Sequence, residues 1–310
     1  MWGINICFIG NRKVIRMSFK DKFKLGVYNV GIIRKDVNNL LNGEAYEIVW
    51  LKHNYKDRFF ADPFLLGEDE QCYYILVEEF CFYENIGKIS LLHVDKEKFS
   101  LCKKEILIQE EYHMSFPYCD GEWIYPEAYR SGAYYKYEVK NIANKRKVCE
   151  EGLIDPIPIK GDNQEWLLTM KSKNPLKDLY LYRKNKNETY ELVSCKPIKE
   201  DINYARPAGQ PFVRDRILYR PVQDSEEIYG RKTHLMQVQN IYETSIEEKK
   251  VLSIDSDSFP PYNRGLHTFN VYDGFIIVDG YCEKYSYIGK SMYVKFPRLV
   301  KKWKTVIGKD

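Results

Sequence analysis

Five segments of the chain repeat one plan, and this repetition limits the folds open to it more than any other feature. Each begins with a polar residue, often before a proline, and continues with a short apolar strand, a turn and a second strand. The segments are ADPFLLGEDEQCYYILVEE, SFPYCDGEWIYPEAY, IDPIPIKGDNQEWLLTMKS, ARPAGQPFVRDRILYRPVQ and LHTFNVYDGFIIVDGY. They begin about 40 to 60 residues apart, a spacing typical of four-stranded propeller blades. The repetition predicts an all-β protein, a five-bladed β-propeller, and a β-sandwich with similar hairpins is the alternative.

The N-terminal part of the chain supplies one more strand for this fold. Residues 28–35, YNVGIIRK, have the pattern of a strand ahead of the first repeat. Such a strand can join the C-terminal strands in the last blade, close the ring and cover edges that would stay unpaired. Helical periodicity is confined to one or two turns near NNLLNGEAYEIV. We therefore expect a propeller over residues 28–290, between a basic N-terminal extension (1–27) and a basic C-terminal tail (291–310).

Polar residues occupy one matched position in four of the five segments. The innermost strand of each propeller blade starts at the same face of the central channel, so matched positions converge on one cavity. The residues at this position are Asp62, Phe116, Asp155, Arg206 and His267. Turn formation explains a single Asp–Pro step, but burying charges at the start of apolar strands is costly unless they are paired or functional. The set predicts a polar site on the channel axis, with salt bridges between blades as the structural alternative.

The second strands of the segments add further candidates. Glu127 follows a proline in WIYPEAY, and YILVEEF ends in Glu78 and Glu79, of which Glu79 is our candidate for substrate contact. A solvated carboxyl, which stays ionised, can act as a general base, and a desolvated carboxyl, which stays protonated, can act as a general acid. The remaining candidates for contacts with substrate are Arg220, Gln223, Asp224 and Asn270.

Composition argues against several other classes of site. The net charge of +4 is too small to indicate a nucleic-acid partner. The eight cysteines form no C-x-x-C pair and the histidines show no ligand spacing, so we expect no metal and no cofactor. No apolar run reaches the roughly 20 residues of a membrane span, and the N-terminus lacks the charge order of a signal peptide. These features predict a cytoplasmic protein, whose basic ends could touch the inner face of an anionic membrane.

Several motifs taken together resemble those of a known family. FADPFL, YPE, ARPAGQ, LYRPVQD, LHTFN and VDG occur in this order between about Tyr28 and Tyr281. This combination resembles the propeller domain at the N-terminus of plant glucosamine inositolphosphorylceramide transferases. Bacterial relatives of that domain stand alone or are joined to formyltransferase-like domains in surface-polysaccharide loci. The fold is more distantly similar to the five-bladed propeller glycosidases, such as arabinanases, xylosidases and fructosidases.

The resemblance to the glycosidases implies roles for three carboxyls. Those enzymes use an Asp in a blade-one Asp–Pro step as base, a second Asp to tune pKa values and a Glu as acid. Carried over to this chain, Asp62 is the base, Asp155 is the tuning carboxyl and Glu127 is the acid. The order differs in one respect, because Glu127 precedes Asp155, whereas the glycosidase acid usually follows the second Asp.

From these features we expect a protein of cell-surface glycan assembly that acts as a glycosyltransferase on a nucleotide- or lipid-linked sugar. Arg206 and Arg220 would hold an anionic donor, and Gln223, Asp224 and His267 would orient sugar hydroxyls. An inverting glycoside hydrolase and a non-catalytic glycan-binding module that assists a partner transferase are the alternatives. The expected partners are a sugar or glycan, glycan-assembly enzymes and the membrane surface, with no nucleic acid.

Overall fold

The secondary structure of the described residues consists mainly of short β-strands. The structure is a computed structural model, and it describes residues 24–161 and 164–285. In chain order the strands are β1 (Lys24–Ile33), β2 (Val49–Trp50), β3 (Arg58–Glu68), β4 (Cys72–Cys81), β5 (Ile86–Asp95), β6 (Leu101–Ile108), β7 (Ser115–Cys119), β8 (Trp123–Glu127), β9 (Tyr134–Glu138), β10 (Asn141–Cys149), β11 (Ile154–Lys160), β12 (Glu165–Met170), β13 (Asp178–Lys184), β14 (Tyr190–Leu192), β15 (Lys199–Glu200), β16 (Phe212–Arg214), β17 (Ile217–Asp224), β18 (Lys232–Ile241), β19 (Ile246–Ile254), β20 (Phe269–Tyr272) and β21 (Phe275–Tyr285).

Helical structure among the described residues is limited to short pieces. Helix α1 covers Val37–Leu41, and a 3₁₀ turn covers Tyr129–Ser131. Asp36 caps α1, because its carboxylate accepts the N–H of Asn38 at 2.9 Å. No helix in the described ranges is long and apolar enough to cross a membrane. Most of the predicted N-terminal extension and all of the predicted C-terminal tail lie outside the described residues.

The strands form five antiparallel sheets, and each sheet is one blade of a propeller. Blade 1 contains β3 to β6, blade 2 contains β7 to β10, blade 3 contains β11 to β15 and blade 4 contains β16 to β19. Blade 5 combines both ends of the described chain in the order β2-β1-β21-β20. In it, β1 pairs with β21 along its whole length, from Lys24 opposite Tyr285 to Ile33 opposite Ile276. The predictions of a five-bladed propeller and of closure by an N-terminal strand are confirmed.

The innermost strands of blades 1 to 3 share a break at the matched polar position. Asp62, Phe116 and Asp155 each precede a proline and have φ values of 49°, 44° and 43°. The pairing register shifts at each of these steps, as in a β-bulge that redirects a side chain. A left-handed backbone is strained for residues other than glycine and persists only where the surroundings hold it. The repeated X–Pro step thus turns the backbone N–H of each of these residues toward a carboxyl of the preceding blade, Asp279, Asp62 and Glu127 respectively.

Apolar side chains between the blades hold this arrangement together. One cluster joins blades 1 to 3 through Phe64, Phe116 and Ile157, and another joins blades 5 and 1 through Ile277 and Ile75. The rings of Phe64 and Phe116 meet edge-on with centroids 5.0 Å apart. Each such side chain contributes about 1.5–3 kcal/mol relative to an exposed position. Because adjacent blades pack on each other in this way, the inner strands and their polar residues are fixed around the axis.

Candidate functional site

Polar side chains from all five blades meet around the propeller axis in one buried group, which we call the polar ring. The ring consists of Asp62 and Glu78 from blade 1, Glu127 from blade 2, Asp155 from blade 3, Arg206 and Gln223 from blade 4, and His267 and Asp279 from blade 5. Each of these residues exposes 8% of its surface or less. Five carboxyls therefore share a buried space with two cations, and their environment decides which of them are ionised.

His267 lies between two carboxylates of the ring. Its Nδ1 is 2.7 Å from Oδ2 of Asp279, and its Nε2 is 3.5 Å from Oδ1 of Asp62. The shorter contact is an ion pair between two side chains that are almost completely buried. Burial opposes the charged imidazolium, but Asp279 and then Asp62 outweigh it and raise the pKa of His267 to about 9. His267 is therefore a buried cation at neutral pH.

Asp62 uses both carboxyl oxygens in hydrogen bonds. Oδ1 accepts the hydroxyl of Thr268 at 3.0 Å, and Oδ2 accepts the N–H of Phe116 at 3.2 Å. Burial raises the pKa of Asp62 to about 6, while the charge of His267 works in the opposite direction. Neutral pH is thus only slightly above the pKa of Asp62, so this carboxyl is mostly ionised, as suits a general base.

Asp155 connects blade 3 to its neighbours. Its Oδ2 accepts hydrogen bonds from Nε of Arg206 at 2.6 Å and from Nε2 of Gln223 at 3.0 Å. Its backbone N–H donates to Oε2 of Glu127 at 3.0 Å. Burial, followed by repulsion from Asp155, raises the pKa of Glu127 well above its ordinary range. This shift favours the protonated form of Glu127, which is the form that a general acid needs.

Part of the ring also serves as framework between blades. Three carboxyls accept the N–H of a left-handed residue on the next blade. The pairs are Asp279 with Asp62, Asp62 with Phe116, and Glu127 with Asp155. Asp279 accepts two more N–H groups, from His267 and Thr268. The alternative interpretation of the polar residues, that they form polar contacts between blades, is correct for these hydrogen bonds. It does not explain why the polar ring contains five carboxyls and only two cations.

Two tyrosines flank the ring. The ring of Tyr28 stacks on the imidazole of His267 with centroids 4.7 Å apart, and the ring of Tyr229 meets the same imidazole edge-on at 5.4 Å. Nη2 of Arg206 donates to the hydroxyl of Tyr229 at 3.1 Å. Tyr229 exposes 38% of its surface, although burial of its hydroxyl raises its pKa. An exposed aromatic face beside buried carboxyls suits a ligand with both apolar and polar sides, such as a sugar.

Arg220, which we predicted as a contact for an anionic donor, lies inside blade 4 instead. It is fully buried, and its Nε and Nη2 donate to Glu248 at 3.1 and 2.7 Å. Its remaining donors reach the carbonyls of Ala205 at 2.9 Å and Tyr204 at 2.8 Å. These bonds use the guanidinium as a support for the segment that carries Arg206.

Three other predicted contact residues also have framework partners. Glu79 pairs with Arg58 and accepts from Lys104 at 2.7 Å. Oδ2 of Asp224 lies 3.1 Å from Nε2 of His234. Asn270 accepts the N–H of Gln210 at 2.7 Å and donates to the carbonyl of Pro63 at 2.8 Å, so it connects blade 5 to blades 4 and 1. These three side chains are therefore engaged in contacts within the fold.

Sequence reasoning missed three residues of the site: Glu78, Asp279 and Tyr229. The strand register contains the signal for Glu78, since it lies opposite Ala61 just as Glu127 lies opposite Ser115. Aligning the second strands of the repeats would have selected Glu78 over its neighbour. Asp279 belongs to the VDG motif, but nothing in that motif alone shows that it faces the channel.

The described residues contain one grouping with the spacing of a metal site. The ligand atoms of Asp62, His267 and Asp279 lie within 4.8 Å of one another. The same carboxylates keep His267 charged, and an imidazolium has no lone pair for a metal. Both carboxylates already accept hydrogen bonds from the protein. The group thus fits an internal ion-pair network better than a metal centre.

A cavity of about 270 Å³ lies away from the ring, where blades 2 and 3 adjoin. Its walls include Lys147, Glu151, Tyr182 and Glu191, and none of the ring residues. The polar ring is the stronger candidate for a functional site because it concentrates buried groups whose pKa values are shifted by one another.

Comparison with known protein families shows where the chain belongs. The family described as "Glucosamine inositolphosphorylceramide transferase 1, N-terminal" matches residues 49–259. The chain belongs to this family. The resemblance expected from the motifs is confirmed, and the matched segment includes the ring residues of blades 1 to 4. Tyr28, His267 and Asp279 lie outside that segment.

Comparisons with curated proteins and with solved structures add no functional information to the family assignment. A search of curated proteins finds no match. Among solved structures, the N-terminal domain of Nup159 aligns with a TM-score of 0.28 and 9% sequence identity, over 82% of this chain. The present chain spans 59% of the length of that structure. A likeness this low carries no argument about function.

Proposed function

We propose that this domain acts in cell-surface glycan assembly as a glycosyltransferase, and that the polar ring is its sugar site. The family description supports a connection to glycosyl transfer. The observation that carries the proposal is the convergence of five carboxyls and only two cations in one buried ring, where burial raises the pKa of Glu127 well above its ordinary range and that of Asp62 to about 6. Two carboxyls whose environments give them different protonation states are the usual pattern of an acid–base pair.

The charges of the ring favour an uncharged or cationic sugar over an anionic group. Both ring cations are already paired, Arg206 with Asp155 and His267 with Asp279. A diphosphate would meet further carboxyls and no unpaired cation, which makes its burial costly. The charged oxygens of an activated donor's phosphate would therefore lie outside the ring, and only the oxygen bonded to the anomeric carbon would reach Glu127. The family description names glucosamine, and the ammonium group of an amino sugar suits the excess of carboxyls.

The ring residues divide the chemistry of transfer among them. Asp62 takes the proton of the acceptor hydroxyl as its oxygen attacks the anomeric carbon, and Glu127 gives its proton to the leaving oxygen. Burial and then the charge of Asp155 raise the pKa of Glu127, and Asp155 also holds Arg206 in place. Oε1 of Gln223 is buried without a hydrogen-bond partner among the described residues. Because such an oxygen is costly to leave unpaired, it is a natural acceptor for a sugar hydroxyl.

The experiment is a transfer assay with nucleotide-linked and lipid-linked glucosamine as labelled donors and bacterial membrane glycans as acceptors. Replacing Asp62 by Asn or Glu127 by Gln should lower the rate by about 100-fold or more, the usual contribution of an acid or base. Glu122→Gln, on an exposed turn, is the control and should keep full activity. Full activity in both ring variants would refute the catalytic roles. Saturable binding with no turnover would instead support a glycan-binding module, and donor-free hydrolysis of aryl glycosides would support a hydrolase.

A further inference from the structure

Glu78 differs from the other carboxyls of the polar ring in its contacts. Asp62, Glu127, Asp155 and Asp279 all accept hydrogen bonds from other blades. No described residue makes a hydrogen bond to the carboxyl of Glu78, which exposes 8% of its surface. A buried carboxyl without such bonds is unfavourable in the framework alone.

The nearest charged or titratable partner of Glu78 is His113, which comes just before β7. Nε2 of His113 lies 3.4 Å from Oε1 of Glu78. Nδ1 of His113 accepts the N–H of Gly87 at 3.0 Å, so the single proton of the neutral ring is on Nε2. Burial, helped by Arg130, lowers the pKa of His113 to about 4. Glu78 therefore has a neutral neighbour and no cation at neutral pH.

The remaining groups that face Glu78 are mostly carboxyls. Burial raises its pKa well above the ordinary range, and the ring carboxyls add to this effect; in order they are Asp62, Glu127, Asp279 and Asp155. The ring cations Arg206 and His267 are committed to other carboxyls. These surroundings favour the protonated form of Glu78 in the free protein, and a cation brought by a ligand would reverse that preference.

We propose that Glu78 contacts the ammonium group of the bound sugar and releases its proton to solvent when the sugar binds. This inference rests on the proposed function, because it requires an amino sugar in the ring. The carboxylic acid becomes a carboxylate that pairs with the ammonium, and the proton passes to the buffer. No covalent bond to the sugar forms or breaks in this step. Glu78 is then a residue that sets specificity for the charged amine.

The test is isothermal titration calorimetry of the protein with methyl glucosaminide at about pH 7, where Asp62 is already mostly ionised and an amine with a pKa of about 8 is still mostly charged. Titrations in two buffers with different ionisation enthalpies measure the protons released. The wild-type protein should release about one proton per sugar, because binding a cation favours the ionised carboxyl. Glu78→Gln should release none and bind about 10- to 100-fold more weakly, the range for a hydrogen bond to a charged group. Methyl glucoside should bind wild type without proton release.

The matched control is Glu79→Gln, the adjacent carboxyl that pairs with Arg58 and Lys104. This variant should still release about one proton per sugar. If Glu79→Gln is too unstable to titrate, Glu122→Gln, on an exposed turn, replaces it as the control and should also release the proton. Binding by wild type without proton release, or an unchanged affinity in Glu78→Gln, would overturn the role of Glu78 and leave the proposed function standing. Absence of binding by both glycosides would overturn the sugar site and this inference with it.

Discussion

Replacing Arg220 by Met separates framework from binding site more clearly than any other single change. The guanidinium makes two hydrogen bonds to Glu248 and two to backbone carbonyls, and both Arg220 and Glu248 have side chains with no exposed surface. The Met side chain fills similar space and restores none of these bonds. We therefore expect loss of stability rather than a specific loss of sugar binding.

The magnitude follows from the partners that would remain. Breaking a buried ion pair costs about 3–5 kcal/mol, since it leaves a buried charge unpaired. Each carbonyl left without its donor adds about 1 kcal/mol. Lys199, at 2.7 Å, would still neutralise Glu248 and moderate the loss. We expect the free energy of unfolding to fall by about 3–5 kcal/mol, a large share of the roughly 5–15 kcal/mol of a typical domain.

Urea denaturation followed by tryptophan fluorescence measures this change from the transition midpoint. The control is Arg183→Met, because Arg183 is half exposed and its ion pair with Glu243 spans 3.3 Å at the surface. Its loss should cost less than about 1 kcal/mol. A cost below about 1 kcal/mol for Arg220→Met, together with loss of sugar binding, would contradict the framework role and return Arg220 to the site.

Three further predictions concern the polar ring and the closure of the propeller by β1. The pKa of His267 is raised from 6.5 to about 9, so its stabilising effect is complete below about pH 6.5 and disappears as pH rises through about 9. The stability difference between wild type and His267→Gln, from urea titrations at several pH values, should shrink by about 3 kcal/mol over that range; a constant difference would argue against a buried imidazolium. Tyr229→Ala should weaken sugar binding about 3- to 10-fold, because it removes an aromatic face beside the polar ring. It should also lower the free energy of unfolding by about 1–2 kcal/mol, because Nη2 of Arg206 loses its hydroxyl partner; unchanged affinity would remove Tyr229 from the site. Deleting residues 1–33 removes the strand that pairs along β21, so circular dichroism should show no cooperative unfolding, and a folded deletion would contradict closure by β1.

Local pattern was sufficient for the fold because every blade repeats the same hairpin signals. The X–Pro steps at Asp62 and Asp155 also marked the inner strands, and the same steps carry the left-handed backbone that the structure shows. Matched positions in a repeat share one environment, so a comparison of repeats could place Asp62, Asp155, Arg206 and His267 around one axis. The closing strand was predictable for the same reason, since an open ring leaves an unpaired edge.

The side-chain partners contributed by other strands could not be predicted from the sequence. Arg220 is followed by polar residues and resembles a binding cation, but its carboxylate partner Glu248 comes from another strand of the same blade. Glu78 and Glu79 are adjacent in the sequence and point to opposite faces of β4, so a register error of one residue selects the wrong carboxyl. The choice between them requires knowing that Ala61 faces Glu78 across the inner hairpin.

A crystal structure of the protein with methyl glucosaminide bound tests the sugar site most directly. We expect the sugar on the propeller axis, with its amine about 3 Å from a carboxyl oxygen of Glu78 and a hydroxyl at a similar distance from Oε1 of Gln223. Its apolar face should lie against Tyr229. A sugar bound elsewhere, for example in the cavity between blades 2 and 3, with the polar ring unchanged, would contradict the central claim that the ring is the sugar site.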